Sequence, residues 1–479
     1  MSEQSPQFHQ DKHGGVHVVW MKKGVDGSSR PFVKPRALQY FYDNTLYKTE
    51  GERSSGRFEI FLDLLFVGMV ANLAHIVTED PTGLNLLKYL LVGIPAWQMW
   101  GDMRDFMNYY YNDDLTQRCL VFWQMCLIVM YGNNAQLAGS STKYTGLVVG
   151  IYIVSRISVY GVIFAYTFYI PEHRKVMRSL ATFVVITCGI WLSTIWTPVR
   201  VKIALAIVAI ACEQFFFAFN YSTFWRGILK ATHTTALDLN HEIERYEAFY
   251  VIVLGEFLYV IVYESPAQIG FNLKLLRAFF TLLIAYDLNW IYFNGDGSSK
   301  WTHALRRSKQ TAIAWLYAHM PLNAALVLAA DAAGELASYE FAEVAESEHL
   351  GEHEVYQLKR NYSFLFCGGI GVGLLANYII SILSKCDDDP GQKWVPKHWR
   401  VIWRVPVGIT IAFLPFANMS ATLLMGIVAL LLTVIVTFET LAAWDRVCTE
   451  DTGEEIDIAE RVENQSVMRE GDNAIYKNI

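Results

Sequence analysis

The sequence predicts an all-α polytopic membrane protein with about twelve transmembrane helices, arranged as a parallel repeat of two six-helix halves. Three observations lead there. Apolar runs near the ~20 residues needed to cross a bilayer recur along nearly the whole length. Charged residues make up 18% of the 479-residue chain and hydrophobic ones 53%, with a mean hydropathy of +0.24, whereas soluble chains carry about 25% charged residues. Finally, residues 57–75 and 245–264 both open Arg-aromatic-Glu-x-Phe and carry a carboxylate into an apolar run.

Taken in order, residues 1–56 form a polar, mixed-charge N-terminal segment with Gly14-Gly15 and Ser28-Ser29 punctuation. Two pieces, 16–21 and 41–47, read as amphipathic and the remainder as disordered. No apolar core with a small-residue cleavage site occurs, so the first span is expected to serve as the targeting signal. Ser2 does not fit the myristoylation pattern. The first half, 57–219, holds spans at 58–78, 84–106, 117–138, 144–168, 178–196 and 199–219. A cytoplasmic linker, 220–246, leads to the second half, 247–444, with spans at 247–264, 274–293, 310–330, 362–384, 400–418 and 420–443. An acidic external loop, 331–361, is expected to carry a short helix over 335–350, and residues 445–479 form an acidic tail. Lys and Arg concentrate on the connections 101–118, 169–178, 220–246, 294–309 and 385–404, which places those loops and both termini in the cytoplasm. Asn361-Tyr-Ser is a glycosylation acceptor in pattern, but it lies close to the membrane.

The repeat rests on a shift of about 188 residues, which sets Arg57, Glu59 and Phe61 on Arg245, Glu247 and Phe249. Trp100 then falls near Trp290 and Trp123 near Trp315. Past the acidic loop, Arg174 pairs with Arg400 and Glu213 with Glu439. Six is even, so both halves enter the membrane from the same side. Ion and substrate sites in such architectures lie near mid-membrane.

An ionisable group at membrane depth costs roughly 2.5–3.5 kcal/mol on insertion scales, so each one demands a reason. Glu59 and Asp63 are four apart and share a helix face. The bland reading, favoured for Glu59, is a mouth paired with Arg57; for Asp63 a cation or proton entry site weighs equally. Glu256 lies about eleven residues into its span, roughly 16 Å deep, after Gly255. His319 reaches a similar depth, two residues before Pro321, so a Glu256–His319 pair is expected, although a lone buried His is more often a satisfied core residue. Arg156, in mid-span, demands a carboxylate, and Asp63, Glu213 and Glu256 are the candidates. Glu213 and Glu439 sit towards helix ends and read as snorkelling, while His75 is too near the outer end to need a partner. Asn133, Asn134, Asp287, Asn289, Asn323 and Asn377 read as interhelical glue.

Residues 96–118 form an aromatic, charged belt in which Asp113-Asp114 and Arg118 are expected to cap the third helix. The seven Cys include no CxxC and read as small buried hydrophobes. Basic residues are scattered, which excludes a nucleic-acid surface. No GxSxG, HExxH, Walker or dinucleotide motif occurs, and no cofactor or metal is expected.

The segment FEIFLDLLFVGMVANLAH (58–75) resembles the signature of the low temperature requirement A (LtrA) family. So do HEIERYEAFYVIVLGE (241–256) and LYAHMPLNAALVLAAD (316–331), with WQMW (97–100), NDDLTQR (112–118) and LNWIYF (288–293) in the family's order. Glu247 stands where the family tends to have Gly, and Asn72 where Gln is common. The resemblance implies a multi-pass membrane protein associated with growth in the cold, and it implies no substrate or reaction. Phe61-Leu-Asp63 is also similar, by analogy, to the Phe-x-Asp of six-helix-repeat endolysosomal potassium channels.

The leading functional expectation is a transporter or cation/proton-conducting protein. In it Asp63 and Glu256 handle the ion, His319 and Arg156 are their partners, and Glu59 stands at the mouth. Its partners are the lipid bilayer and a small ion or small-molecule substrate. Two alternatives stay open: a membrane enzyme or accessory protein acting on a lipid or hydrophobic metabolite, and a sensor or scaffold that transports nothing.

Overall fold

A computed structural model of the chain describes residues 10–13, 16–22, 24, 27–43, 45–51, 53, 55–263, 270–294, 303–340, 351–385 and 393–444. Gly14-Gly15, the acidic tail, Cys386, Cys448 and most of the expected 335–350 helix lie outside them. The contacts divide the chain into two compact units, residues 1–62 with 94–245 and residues 63–93 with 246–449.

The first unit opens on a structure the sequence reading misses. Strands β1 (Gln10–His13), β2 (Val16–Met21), β3 (Gln39–Tyr42), β4 (Thr45–Thr49) and β5 (His233–Thr235) form one sheet in the order β1-β2-β4-β3-β5. Stretches of Val, Tyr, Phe and Thr too short for a helix suit a pleated surface better than the amphipathic or disordered segment expected. Asp43, next after β3, takes the left-handed region at φ 44. The all-α expectation therefore needs a small β-sheet added to it.

Helices α1 (Arg57–Glu79), α2 (Gly83–Tyr110), α3 (Leu115–Ala135), α4 (Thr142–Tyr166), α5 (Arg174–Ser193), α6 (Val199–Asn220), α7 (Thr223–Leu229) and α8 (Leu239–Val262) follow. After them come α9 (Leu273–Phe293), α10 (Ala304–Arg307), α11 (Lys309–Ser338), α12 (Glu352–Leu383), α13 (Lys397–Val401), α14 (Arg404–Phe413) and α15 (Ala421–Ala442). Each predicted span falls on helix. Eight stretches are long and apolar enough to cross a membrane: Arg57–Glu79, Thr142–Tyr166, Arg174–Trp196, Val199–Asn220, Lys309–Ser338, Glu352–Leu383, Lys397–Ala417 and Ala421–Ala442. Helices α2, α3, α8 and α9 are richer in charges or amides and fall short of that measure.

Local chemistry fixes the helix ends. Asp114 caps α3 by accepting the Gln117 N–H at 2.9 Å, and Asp113 pairs with Arg118 at 3.0 Å. Helix α11 runs beyond its expected end at 330, because Ala332, Ala333, Leu336 and Ala337 are strong helix formers and are buried. Arg277 on α9 then donates to the terminal carbonyls of Leu336 and Tyr339 at 2.8 and 2.6 Å. Helix α12 begins at Glu352, so the last residues assigned to the acidic loop, Asn361 among them, sit within a helix.

The core of the second unit relies on glycines. A Cβ on Gly369 of α12 would stand 2.5 Å from the Ala325 carbonyl of α11, and one on Gly371 would stand 2.8 Å from the Gly408 carbonyl of α14. Such close approach is how helices gain packing energy where lipid offers no hydrophobic drive.

Candidate functional site

In the first unit, three helices bring charges to one buried point. Tyr152, Arg156 and Tyr160 are spaced four apart on α4 and share a face, and both rings flank the guanidinium, at 5.7 and 5.6 Å. Arg156 Nε lies 2.8 Å from Asp102 of α2, and Nη1 lies 2.6 Å from Glu213 of α6. Glu213 Oε1 also accepts from Tyr152 Oη at 2.8 Å and from Trp191 Nε1 at 3.0 Å. Asp102 Oδ1 accepts from Gln98 at 2.9 Å and from Tyr160 at 3.1 Å, and Gln214 donates to Gln98 at 3.2 Å. Arg156, Asp102 and Glu213 are 3%, 2% and 7% exposed. Arg156 thus meets Glu213, one of the three carboxylates the sequence offers it, together with Asp102, which reads as interfacial in sequence. Glu213 does not snorkel, because three donors hold it inside. Two carboxylates share one guanidinium, with no second cation at ion-pair distance among the described residues.

A second network in the same unit is charge-balanced. Glu59 is wholly buried, and its partner is not Arg57, which is exposed. Its carboxylate accepts the Gly56 N–H at 2.6 Å, closing the first turn of α1 as a capping box does. It also takes Arg53 at 2.6 Å, His241 Nε2 at 2.9 Å and Arg245 at 3.5 Å. The Asn108 amide contacts His241 Nδ1 at 3.3 Å and donates to Glu242 at 3.1 Å. Arg104 joins Glu242 at 2.9 Å and Asp105 at 2.7 Å, and Lys48 reaches Asp238 at 4.0 Å. Lys48, Arg53, Arg104 and Arg245 therefore answer Glu59, Asp105, Asp238 and Glu242. This is the arrangement of a structural clasp.

Outside the helices of this unit, His173 precedes α5. Its Nδ1 meets the Tyr110 hydroxyl at 2.9 Å and its Nε2 meets the Gln39 carbonyl at 3.2 Å. Burial pushes its pKa down to about 4, so the ring is neutral and ties β3 to the ends of α2 and α5.

The second unit holds Asp63, Glu256 and His319. Asp63 is wholly buried. His319 is engaged at both nitrogens, Nδ1 with the Trp315 carbonyl at 2.8 Å and Nε2 with the Tyr292 hydroxyl at 3.0 Å. Trp315 and Tyr246 pack on its ring at 4.1 and 4.6 Å. The expected Glu256–His319 pair is therefore not formed, and matched depth was a weak guide to it. The Asp331 carboxylate accepts a hydrogen bond from Thr78. His75 lies 3.6 Å from Asp331, so it has a partner the sequence reading did not require. Arg404 of α14 grips Glu439 of α15 at 2.7 and 2.6 Å and donates to the carbonyls of Asn377 and Ile291 at 3.3 and 3.1 Å. Glu439 is buried and does not snorkel. Both polar atoms of the Asn323 side chain are buried without a partner among the described residues.

Sequence reasoning missed Asp102, Arg53, His241, Asp331 and Arg404. The i, i+4 pair Gln98 and Asp102 was a usable signal, as was the position of Arg404 one turn after Arg400. No group of His, Cys, Asp and Glu among the described residues could hold a metal ion. Cys119, Cys126, Cys188, Cys212 and Cys367 are free thiols.

Long apolar helices enclosing paired charges define an integral membrane protein of the polytopic α-helical class, with the bilayer as its surroundings. The chain belongs to the bacterial low temperature requirement A protein (LtrA) family, whose model matches residues 54–438. Searches of curated proteins and of solved structures returned no match.

Proposed function

We propose that this chain is a transporter or conducting protein for protons or small cations, and that the Arg156 group is its ion-binding centre. One observation carries the reading: two buried carboxylates, Asp102 and Glu213, face a single guanidinium. An uncompensated charge in such a place costs several kcal/mol. A proton or a small cation that can leave again removes that cost. Glu256 is the acidic group of the second unit assigned to the same ion handling. Asp63 is an entry group. Glu59 and His319 take structural roles, because their partners are already complete.

The same reading keeps twelve spans in two parallel six-helix halves, with both termini cytoplasmic. Its support is a likeness within the halves. Glu213 and Glu439, matched by the repeat, each bind a buried arginine. Arg156 comes from the fourth helix of its half and Arg404 from the fifth. The repeat register that pairs Trp100 with Trp290 sets Asp102 on Tyr292, whose neighbour Ile291 gives its carbonyl to Arg404. The second half therefore has one carboxylate per arginine where the first has two.

The test is purified protein in liposomes, assayed for dissipation of imposed proton, potassium and sodium gradients. Wild-type protein is expected to dissipate at least one of them. Glu213→Gln and Glu256→Gln are expected to slow that flux about tenfold or more, the equivalent of ~1.4 kcal/mol in the barrier. Wild-type vesicles no leakier than empty ones to all three ions would overturn the proposal.

A further inference from the structure

We propose that the start of α5 and the short helix α7 form a binding surface for the phosphate headgroup of an anionic phospholipid. Four basic residues meet there. Arg174 Nε donates to the Thr167 carbonyl at 3.0 Å and Arg178 Nε donates to the Thr167 hydroxyl at 2.9 Å, so the two guanidinium groups lie side by side. Lys175 Nζ reaches the Lys230 carbonyl at 2.6 Å, which brings the end of α7 against α5. Trp225 Nε1 donates to Ser179 at 2.7 Å and holds α7 in that place.

None of Arg174, Lys175, Arg178 and Lys230 has an ion pair among the described residues. The nearest carboxylate in sequence, Glu172, is at ion-pair distance from none of them among the described residues. Arg174, Lys175 and Lys230 are exposed and Arg178 is partly so, so the four present an open basic face on which a multivalent anion from outside the chain can settle. The surroundings say which kind. Phe224 and Ile228 are one turn apart on α7 and are 68% and 54% exposed, and Phe168 is 63% exposed. The Arg178 guanidinium lies over the rings of Phe168 and Phe164, at 4.8 and 5.4 Å. Exposed aromatic side chains beside Arg and Lys, at the ends of apolar helices, are the pattern of a membrane–water interface. A free phosphate would use the cations and leave the apolar side chains in water. A phospholipid uses both, its phosphate on the cations and its chains against Phe224, Ile228 and Phe168.

The test is native mass spectrometry of the full chain, released from mixed micelles containing phosphatidylglycerol and phosphatidylcholine. Wild-type protein is expected to retain phosphatidylglycerol in preference. Each charge removed is expected to weaken retention about fivefold, so both Lys175→Gln/Lys230→Gln and Arg174→Gln/Arg178→Gln lose most of it. Lys143→Gln/Arg200→Gln, at the opposite ends of α4 and α6, is expected to match wild type. Should Arg174→Gln/Arg178→Gln fail to fold, the exposed lysine pair decides alone. Equal retention of the two lipids, undiminished phosphatidylglycerol on the lysine variant, or its displacement by excess inorganic phosphate would each overturn the proposal.

Discussion

Arg156 Nη1 lies 2.6 Å from Glu213 Oε1, and neither side chain reaches solvent appreciably. The same guanidinium also serves Asp102, which makes the arginine harder to replace than either acid. Arg156→Met strands two buried carboxylates and is expected to cost about 3–5 kcal/mol. Glu213→Gln leaves Arg156 paired with Asp102 and is expected to cost clearly less. Denaturant unfolding in detergent, with the two variants side by side, checks the order.

Glu59 closes the first turn of α1 and neutralises Arg53 and Arg245 at once. Glu59→Gln leaves those cations facing a neutral amide, so a loss of about 3 kcal/mol is expected, whereas Arg57→Gln is expected to change stability by less than about 0.5 kcal/mol. Thermal unfolding of the two variants measures the contrast. A large effect at Arg57 with none at Glu59 would contradict the assignment.

Neighbouring glycines on α12 are expected to behave oppositely. A Cβ on Gly368 meets nothing within 4 Å, while one on Gly369 meets the Ala325 carbonyl at 2.5 Å. Gly368→Ala is expected to be neutral or to stabilise by up to about 1 kcal/mol, through helix propensity. Gly369→Ala is expected to destabilise by about 1–3 kcal/mol, through overpacking. Melting temperatures of the two variants decide it.

His173 gives the β3 attachment a pH dependence. Its pKa drops from 6.5 unfolded to about 4 folded, so between those values the unfolded chain binds more protons. Stability is whole above about pH 6.5 and falls as pH drops through 4, by up to ~3 kcal/mol. Because other acids titrate in the same range, the measurement is the difference between wild type and His173→Gln. That difference is expected to shrink as pH falls from 7 to 4.

The helices were legible in the sequence because apolar runs, Pro198 and polar breaks such as Asn112 to Asp114 act locally. The sheet was not, since β2 pairs with β4 and β3 with β5 across long stretches of chain, and register between distant strands leaves little mark on either strand alone. The site was legible in half. Arg156 announced its need for an acid through its depth, and Glu213 was among the acids on offer. Asp102 was hidden in an aromatic, charged stretch that looked like an interface, and only its placement one turn from Gln98 hinted otherwise. His319 looked like a partner for Glu256 because depth can be counted from sequence, whereas helix rotation, which turns it to Tyr292 and Trp315, cannot.

On the proposed reading a proton answers the surplus carboxylate of the Arg156 group, and that proton is open to direct observation. Difference infrared spectroscopy of the full chain at neutral pH is expected to contain a buried, protonated carboxylic acid carbonyl band. Glu213→Gln and Asp102→Asn are each expected to remove it, because one acid alone is balanced by Arg156. Absence of the band from wild type, in buffers free of sodium and potassium, would contradict the account, as would its persistence unchanged in both variants.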